Sequence, residues 1–189
     1  MAKVLADRDI ERLLGVCILE ADKERVNPNG IELRLGKYVH FLSTGEEMEL
    51  GPGMFLKVSP GETVSISSLE VLDFTSDAVQ KFFPDHMLMG LVTPTTTMMK
   101  EGISQVTTKV DAGFRGLLSW SLRNGSPRDL ILRYGESLFK LTILLLTPDE
   151  TPEIPYGGRA SDTYQDSSGI VRSSRTIPAD IPKSKLISS

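Results

Sequence analysis

The sequence predicts an all-β domain, and two patterns support this prediction. Short segments rich in β-branched and apolar residues recur along the chain, separated at regular intervals by turns that contain Gly or Pro. Residues 31–36, IELRLG, alternate apolar and polar side chains with the period of a half-buried strand. Strands of this length and spacing are typical of a β-sandwich or barrel.

The first predicted elements are a short helix and a tight turn. The apolar positions of residues 7–14 lie on one helical face, with Asp7 as the expected N-cap and Gly15 at the end. Residues 27–30, NPNG, form a strong turn signal before the strand at 31–36.

Further strands are expected along the rest of the domain. They are predicted at residues 54–58, 63–66, 88–93, 103–110, 117–122, 129–132 and 138–146. The last of these is the most apolar run in the sequence, which predicts a buried strand. Residues 75–87 leave a short helix and a loop open as alternatives.

The composition changes after residue 146. Residues 147–189 are rich in Pro, Gly, Ser and Asp, and we expect them to form a C-terminal tail with little core of its own. With 189 residues, 40% of them hydrophobic, the chain is expected to build one domain over residues 1–146 plus this tail.

Charge and cysteine content argue against several classes of protein. A formal net charge of −4 argues against a general nucleic-acid binder, which would usually be basic. The sequence has no apolar run long enough for a transmembrane helix, so no membrane partner is expected. A single cysteine, Cys17, suits a reducing cytoplasm, and with only two histidines it leaves no Cys/His zinc cluster.

The heptapeptide at 110–116, VDAGFRG, carries the most informative pattern. Gly113 and Gly116 permit a tight turn at positive φ or a close backbone approach. Asp111 is thereby placed at the mouth of a turn, where its carboxylate can face a ligand. The alternative for this stretch alone is a local Asx turn.

This heptapeptide resembles the I-D-x-G-[WFY]-x-G signature of the dCTP deaminase and dUTPase superfamily. Other segments are similar to dCTP deaminase motifs in the same order: VLADRDI at 4–10, NGIELRLG at 29–36, GPGMFL at 51–56, and a closing region from PYGG at 155–158 through Tyr164 to Arg175. Each motif is weak alone, but their common order on one chain is specific.

The resemblance implies a distorted jelly-roll subunit with a short N-terminal helix, assembled as a homotrimer with active sites where subunits meet. The implied ligand is a deoxypyrimidine nucleoside triphosphate with Mg²⁺ on its phosphates. The tail, with Tyr156, Tyr164 and Arg175, would fold over bound nucleotide as a lid. These deaminases use no zinc, in agreement with the lack here of the H-x-E and P-C-x-x-C pattern of zinc-dependent base deaminases.

The phosphate-binding motif of the family, G-R-S-[ST]-x-A-R-x-G, is altered in this chain. Aligning its last glycine with Gly102 puts Thr96 and Thr97 on the hydroxyl positions and Lys100 on the arginine. This alignment needs a two-residue deletion before Asp111. We prefer it because it keeps hydroxyl groups and a cation together, although lysine offers a point charge where arginine offers a bidentate fork.

Two alternatives to this alignment stay open. Without the gap, Pro94 and Met98 would occupy hydroxyl and arginine positions, which would abolish phosphate binding. The other alternative is that residues 95–97 are ordinary β-branched strand residues.

Ser121 occupies the position of the glutamate that shuttles protons in the deaminases, as judged from its spacing from Gly116. A serine hydroxyl near neutral pH is not a general base unless another base lies beside it. No neighbouring carboxylate or histidine in the sequence replaces it. Thr163, Ser167 and Lys140 stand at other altered positions that would read the base or the phosphates.

Two acidic residues match the family. Asp111 corresponds to the aspartate that activates the attacking water in dUTPases, and Glu32 to an acidic residue near their hydrated magnesium. These residues favour hydrolysis of a triphosphate to monophosphate and pyrophosphate. The alternatives are dCTP deamination by a divergent site, and a catalytically inactive trimer that acts as a nucleotide sensor or structural protein.

Overall fold

The computed structural model describes residues 1–104 and 107–171 of the chain, and β-strands dominate this part. The strands are β1 (Lys3–Val4), β2 (Ile18–Leu19), β3 (Val26–Asn27), β4 (Gly30–Phe41), β5 (Glu47–Glu49), β6 (Phe55–Val58), β7 (Thr63–Asp73), β8 (Met87–Pro94), β9 (Ile103–Ser104), β10 (Thr108–Val110), β11 (Arg115–Asn124), β12 (Leu130–Arg133) and β13 (Ser137–Leu146). The helices are α1 (Asp7–Leu13), α2 (Ser76–Val79) and α3 (Thr96–Lys100), with 3₁₀ turns at Lys23–Arg25 and Pro148–Glu150. The all-β prediction is confirmed.

One antiparallel sheet of eleven strands curls around the core. Seven strands follow the order β10–β8–β13–β4–β7–β11–β9, with β1, β2, β3 and β5 paired alongside, while β6 and β12 form a separate pair. The long strand β4 joins the two halves, since its first part pairs with β13 and its second part with β5 and β7. The curled sheet and the short helix α1 are the predicted distorted jelly roll.

The core lies inside this curl. Phe74 and Phe139 are among its largest fully buried side chains. The ring of Trp120 meets that of Phe139 edge-on at a centroid distance of 4.7 Å, a geometry that contributes about 0.5–1.5 kcal/mol beyond area burial. The predicted burial of β13 is confirmed for Leu138, Phe139, Leu141 and Ile143, whereas residues 144–146 are half-buried.

A buried ion pair holds β4 against β7. Glu70 is fully buried and accepts hydrogen bonds from the backbone N–H of Arg34 at 2.9 Å and from its Nε at 2.6 Å. Arg34 also donates to Asp22 at 2.5 Å and to the carbonyl oxygen of Glu20. Burial raises the pKa of Glu70, and the bonds from Arg34 partly oppose that rise. Each partner compensates the charge of the other, so the pair fixes the two strands together.

The structure changes two local predictions and decides between the alternatives left open for a third segment. Ala6, with its extended backbone, caps α1 in place of Asp7, which lies in the first turn where its charge still favours the helix. The open segment at 75–87 contains the short helix α2. Residues 103–110 form two short strands with different partners, because β9 pairs with β11 and β10 with β8. No helix in the described part of the chain is long and apolar enough to cross a bilayer.

Candidate active site

Backbone hydrogen bonds close the turn that follows β10. The N–H of Phe114 donates to the carbonyl of Asp111 at 3.1 Å, and the N–H of Phe74 donates to the carbonyl of Phe114 at 2.8 Å. The Asp111 side chain is 38% exposed and accepts a bond from Lys109 Nζ at 2.5 Å. A carboxylate paired with a cation therefore stands at the start of this turn.

A cavity of about 840 Å³, here called the turn cavity, opens beside this turn. It is lined by four of the predicted site residues, Asp111, Ser121, Tyr156 and Tyr164. The rings of Tyr156 and Phe114 pack at a centroid distance of 5.9 Å and form part of its wall. Small-molecule sites typically enclose roughly 300–1,000 Å³. The cavity is therefore large enough for a nucleotide.

Strand register places three polar side chains in a row along the turn cavity. Ser121 on β11 is the direct partner of Ser65 on β7, and their hydroxyl oxygens lie 2.7 Å apart. Ser65 is in turn the direct partner of His40 on β4, and all three residues line the cavity. Sequence reasoning missed His40 and Ser65 because only strand pairing brings them to Ser121. Alternation along β4 was the available signal, and it does not identify the partner strand.

Residues 155–171, here called the strap, dock on the two glycines of the turn. Ser167 forms a parallel bridge with Gly116. A Cβ at position 116 would lie 2.8 Å from the backbone nitrogen of Ser167. A Cβ at Gly113 would lie 2.6 Å from the carbonyl oxygen of Tyr156, and Gly113 also has a φ of +95°. Both glycines are therefore required by the close approach of the strap.

Side chains add further contacts between the strap and the turn. Gln165 donates from Nε2 to the carbonyl of Gly113 at 3.2 Å and accepts from the N–H of Arg115 at 3.1 Å. Arg115 Nε donates to Asp166 at 2.5 Å, and this bond lowers the pKa of the Asp166 carboxyl. The strap is thus held beside the turn cavity by both its backbone and its side chains.

The predicted phosphate-binding residues lie on α3, outside the turn cavity. The hydroxyl of Thr95 accepts a bond from the N–H of Met98 at 3.3 Å and caps this helix. Capping begins a helix where β8 ends, so the interpretation of these threonines as strand residues is wrong. Thr96, Thr97 and Lys100 are exposed on its surface.

Thr97 and Glu32 share a different cavity of about 660 Å³, here called the helix cavity. Arg25 and Arg133 also line it, and Arg25 Nη1 lies 3.8 Å from Glu32. The fold thus brings a predicted phosphate residue to the predicted metal residue, but separates both from the turn cavity. Among the described residues, no group of three or more His, Cys, Asp or Glu side chains is arranged to hold a metal ion.

Comparison with known proteins identifies the family. No protein-family model matches the chain. A curated dCTP deaminase from Aeropyrum pernix is 30% identical over 184 residues, which cover 88% of this chain and 93% of that protein. The chain belongs to the dCTP deaminase/dUTPase superfamily. A probable deoxyuridine 5'-triphosphate nucleotidohydrolase of Sulfolobus islandicus rod-shaped virus 1 is 26% identical over 171 residues, covering 88% of this chain and 96% of that protein.

A solved structure of this superfamily has the same fold. The crystal structure of 2'-deoxycytidine 5'-triphosphate deaminase from Agrobacterium tumefaciens matches with a TM-score of 0.59 at 19% sequence identity. The match covers 76% of this chain and 49% of that chain, so the present protein spans about half of it. The distorted jelly roll that the resemblance implied is confirmed.

Ser167 and Lys140, two positions that the resemblance interprets as altered, take part in strap docking and in strand pairing. The hydroxyl of Ser167 donates to the carbonyl of Leu117 at 2.8 Å and so fastens the strap to β11. Lys140 lies on β13 as the direct partner of Glu32. Arg175, the predicted cation of the tail, lies outside the described residues.

Proposed function

We propose that this protein is a nucleotide-metabolising enzyme that binds a deoxypyrimidine nucleoside triphosphate and hydrolyses it to monophosphate and pyrophosphate. The observation that carries the proposal is the turn cavity, where Asp111 stands beside Lys109. The names of two relatives, a dCTP deaminase and a dUTP nucleotidohydrolase, support the ligand class.

Asp111 is the group suited to activate water. Its carboxylate accepts a proton from a water molecule whose oxygen attacks the α-phosphorus. The bond between the α-phosphorus and the bridging oxygen breaks, and pyrophosphate leaves with that electron pair. Lys109 Nζ, 2.5 Å from the carboxylate, offsets negative charge at this end of the cavity. General-base catalysis of this kind typically contributes roughly 10²–10⁴-fold in rate.

In the proposed reaction, Mg²⁺ binds together with the phosphates of the nucleotide. Glu32 forms an ion pair with Arg25 and lines the helix cavity. Within a single chain it therefore does not lie where it could contact an ion bound next to Asp111. Mg²⁺ in nucleotide sites is usually held by substrate phosphates, water and one or two carboxylates. Glu32 would contact such an ion through water, and no chemical step is assigned to it.

A homotrimer would complete the proposed site. Thr96, Thr97 and Lys100 lie away from the turn cavity of their own chain, so they would reach a nucleotide there from a neighbouring subunit. The half-buried apolar end of β13 is the proposed central contact. Light scattering should then give three times the chain mass of 20.8 kDa. A monomer at micromolar concentration would contradict the shared site.

The C-terminal tail is proposed to act as a lid over bound nucleotide. Tyr156 and Tyr164 line the turn cavity from the strap, and Arg175 is the proposed phosphate contact beyond it. Closing a site in this way excludes water and strengthens the electrostatic interactions inside.

The second candidate function is deamination of dCTP, which the name of the Aeropyrum relative favours. In that reaction water adds to the amino-bearing carbon and ammonia leaves. Because Ser121 replaces the proton-shuttling glutamate, we expect this rate to be negligible. The test incubates purified protein with dCTP and separately with dUTP, with Mg²⁺, and follows ammonia, pyrophosphate and nucleotides. We expect release of pyrophosphate without ammonia. Rapid release of ammonia from dCTP would show that the protein is a deaminase and contradict the proposed hydrolysis.

Thermal unfolding with a panel of nucleotides separates a binding protein from a purely structural trimer. A ligand at about 100 times its dissociation constant adds about 2.7 kcal/mol to the free energy of unfolding. A structural trimer would gain nothing from any nucleotide. Stabilisation without turnover would identify a sensor.

A further inference from the structure

Ser121 and Ser65, here called the serine pair, have no part in the proposed hydrolysis at Asp111. Their hydroxyl oxygens lie 2.7 Å apart, and either hydroxyl can be the donor of the hydrogen bond between them. Both side chains line the turn cavity, so a ligand can meet either hydroxyl directly. A hydroxyl has one donor hydrogen and two acceptor lone pairs. Each serine can therefore bond to its partner and to a ligand at the same time.

The serine pair lies away from the turn. Leu117 and Ser121 both line the cavity from β11, and four residues of strand span about 13 Å. The charged pair Lys109–Asp111 belongs to the turn end. A nucleotide whose phosphates lie near Lys109 would therefore place its base near the serine pair.

The hydrogen bond of the serine pair can reverse its direction without being lost. When Ser65 donates to Ser121, the Ser121 hydrogen is free to be donated to a ligand. When Ser121 donates to Ser65, the lone pairs of Ser121 are free to accept from a ligand. With a ligand bound, neither direction leaves a hydroxyl hydrogen without an acceptor, so we expect the two directions to differ little in free energy.

Most other polar side chains of the described cavity wall have no fixed role either. They are further hydroxyls and the imidazole of His40, which has one donor and one acceptor when neutral. Lys109 and Asp111 have fixed roles but stand at the turn end. Trp120 can only donate, and its Nε1 is buried and forms no hydrogen bond within the described part of the chain. No side chain near the serine pair therefore presents only a donor or only an acceptor to a base.

We propose that the turn cavity binds cytosine and uracil nucleotides about equally, and that the protein hydrolyses dCTP as well as dUTP. The inference rests on the proposed function, which puts a pyrimidine nucleotide in this cavity. The serine pair accepts a bond from the 4-amino group of cytosine in one direction and donates to the 4-carbonyl group of uracil in the other.

The reaction with dCTP keeps the amino group. The oxygen of water joins the α-phosphorus, and the bond from that phosphorus to the bridging oxygen breaks. The products are dCMP and pyrophosphate, and no ammonia is formed.

The first test measures binding and products for the wild type. Calorimetry with Mg²⁺ gives dissociation constants for the α,β-imido analogues of dCTP and dUTP, which cannot release pyrophosphate. The two constants should agree within about threefold, because the same hydroxyls serve both bases. Chromatography of reactions with the natural nucleotides should show dCMP from dCTP and dUMP from dUTP.

Two substitutions of Ser65 should move the ratio of these constants in opposite directions. Ser65→Ala removes the acceptor of the Ser121 hydrogen, which is then best donated to uracil, so the dUTP analogue should bind about fivefold more tightly than the dCTP analogue. Ser65→Asp supplies an acceptor without a donor, so Ser121 donates to the carboxylate and turns its lone pairs to the ligand. The dCTP analogue should then bind about tenfold more tightly than the dUTP analogue.

Ser43 provides the matched control. It is exposed in the turn after β4 and does not line the turn cavity. Ser43→Ala and Ser43→Asp should keep the wild-type ratio. Repulsion between a new carboxylate and the triphosphate acts on both analogues and cancels in the ratio.

The outcomes separate this inference from the proposed function. A wild-type preference of more than about tenfold for either analogue would overturn the inference and leave the proposed hydrolysis in place. The same holds if neither Ser65 variant moves the ratio, or if dUTP yields dUMP while dCTP yields no dCMP. Binding of neither analogue would overturn the proposed function and the inference with it.

Discussion

The turn cavity and the helix cavity collect the predicted site residues in different ways. In the turn cavity, Asp111 stands in the turn after β10 and Ser121 stands on β11, which pairs with β7, and the strap is docked on the same chain. In the helix cavity, Thr97 stands on a helix of five residues that follows the end of β8. One chain therefore fixes the first set completely. In the proposed homotrimer, another chain would supply the second set to the same ligand.

The largest expected effect belongs to the turn cavity. Asp111→Asn removes the proposed base while keeping the size of the side chain, and we expect pyrophosphate release to fall roughly 10²–10⁴-fold. Nucleotide-induced thermal stabilisation should remain. Asp129→Asn is the control, because that carboxylate pairs with Lys57 and lines neither cavity. Unchanged turnover in Asp111→Asn would show that Asp111 is not the base and that the reaction does not depend on the turn cavity.

Stability should depend on the scaffold of the turn cavity more than on α3. Glu70→Ala leaves Arg34 without its buried partner and should lower the free energy of unfolding by about 3–5 kcal/mol. Lys100→Ala changes an exposed side chain and should alter it by less than about 0.5 kcal/mol. Urea unfolding of both variants measures the difference. Equal destabilisation would remove the distinction between the two regions.

Lys100→Ala should instead weaken nucleotide binding, by about tenfold, through loss of a charge-assisted contact. Lys81→Ala, an exposed lysine that lines neither cavity, should bind as the wild type does.

Mixing subunits tests whether Lys100 acts on a neighbouring chain. When Lys100→Ala and Asp111→Asn subunits are refolded together, random assortment in a symmetric ring leaves about a quarter of the shared sites intact. At nucleotide concentrations well below KM, where the weaker binding of Lys100→Ala limits its turnover, the mixture should therefore turn over faster than either variant alone. Turnover no higher than the mean of the two would place both residues in the same chain's site.

The smallest expected effect concerns the strap. Gly113→Ala places a Cβ 2.6 Å from the carbonyl oxygen of Tyr156 and should loosen the strap, so that trypsin cleaves at Arg159 several-fold faster. Gly135→Ala is matched, because Gly135 also has a positive φ, of +76°, but open space around its Cβ position. Nucleotide should slow cleavage in the wild type if the tail is a lid. Equal cleavage of both variants would show that the strap does not depend on Gly113.

The strands could be predicted because alternation and apolar runs are local properties. The strand at 31–36 and the run at 138–146 both lie inside observed strands, β4 and β13. Their partners were not predictable, since pairing depends on tertiary packing between distant segments. At residues 95–97, by contrast, the local strand preference gives the wrong element. The hydroxyl of Thr95 caps a helix there, and this outweighs the strand preference of β-branched residues.

The candidate site could be predicted in part. The glycines around Asp111 indicated the turn, and resemblance pointed to Ser121, Tyr156 and Tyr164, which share the turn cavity. His40 escaped because its nearness to Ser121 is created by two successive strand pairings, β4 with β7 and β7 with β11. The order of residues along the chain therefore does not predict that these side chains are neighbours.

The docking of the strap on Gly113 and Gly116 constrains how this sequence can change during evolution. Each glycine faces strap backbone at a distance that excludes any side chain, whatever its chemistry. A lineage that keeps the strap is therefore closed to substitution at both positions, even after catalysis is lost. A lineage that loses the strap releases both positions from this constraint at once. The strap thus restricts residues 113 and 116 in addition to their positive φ angles of +95° and +139°, independently of enzymatic activity.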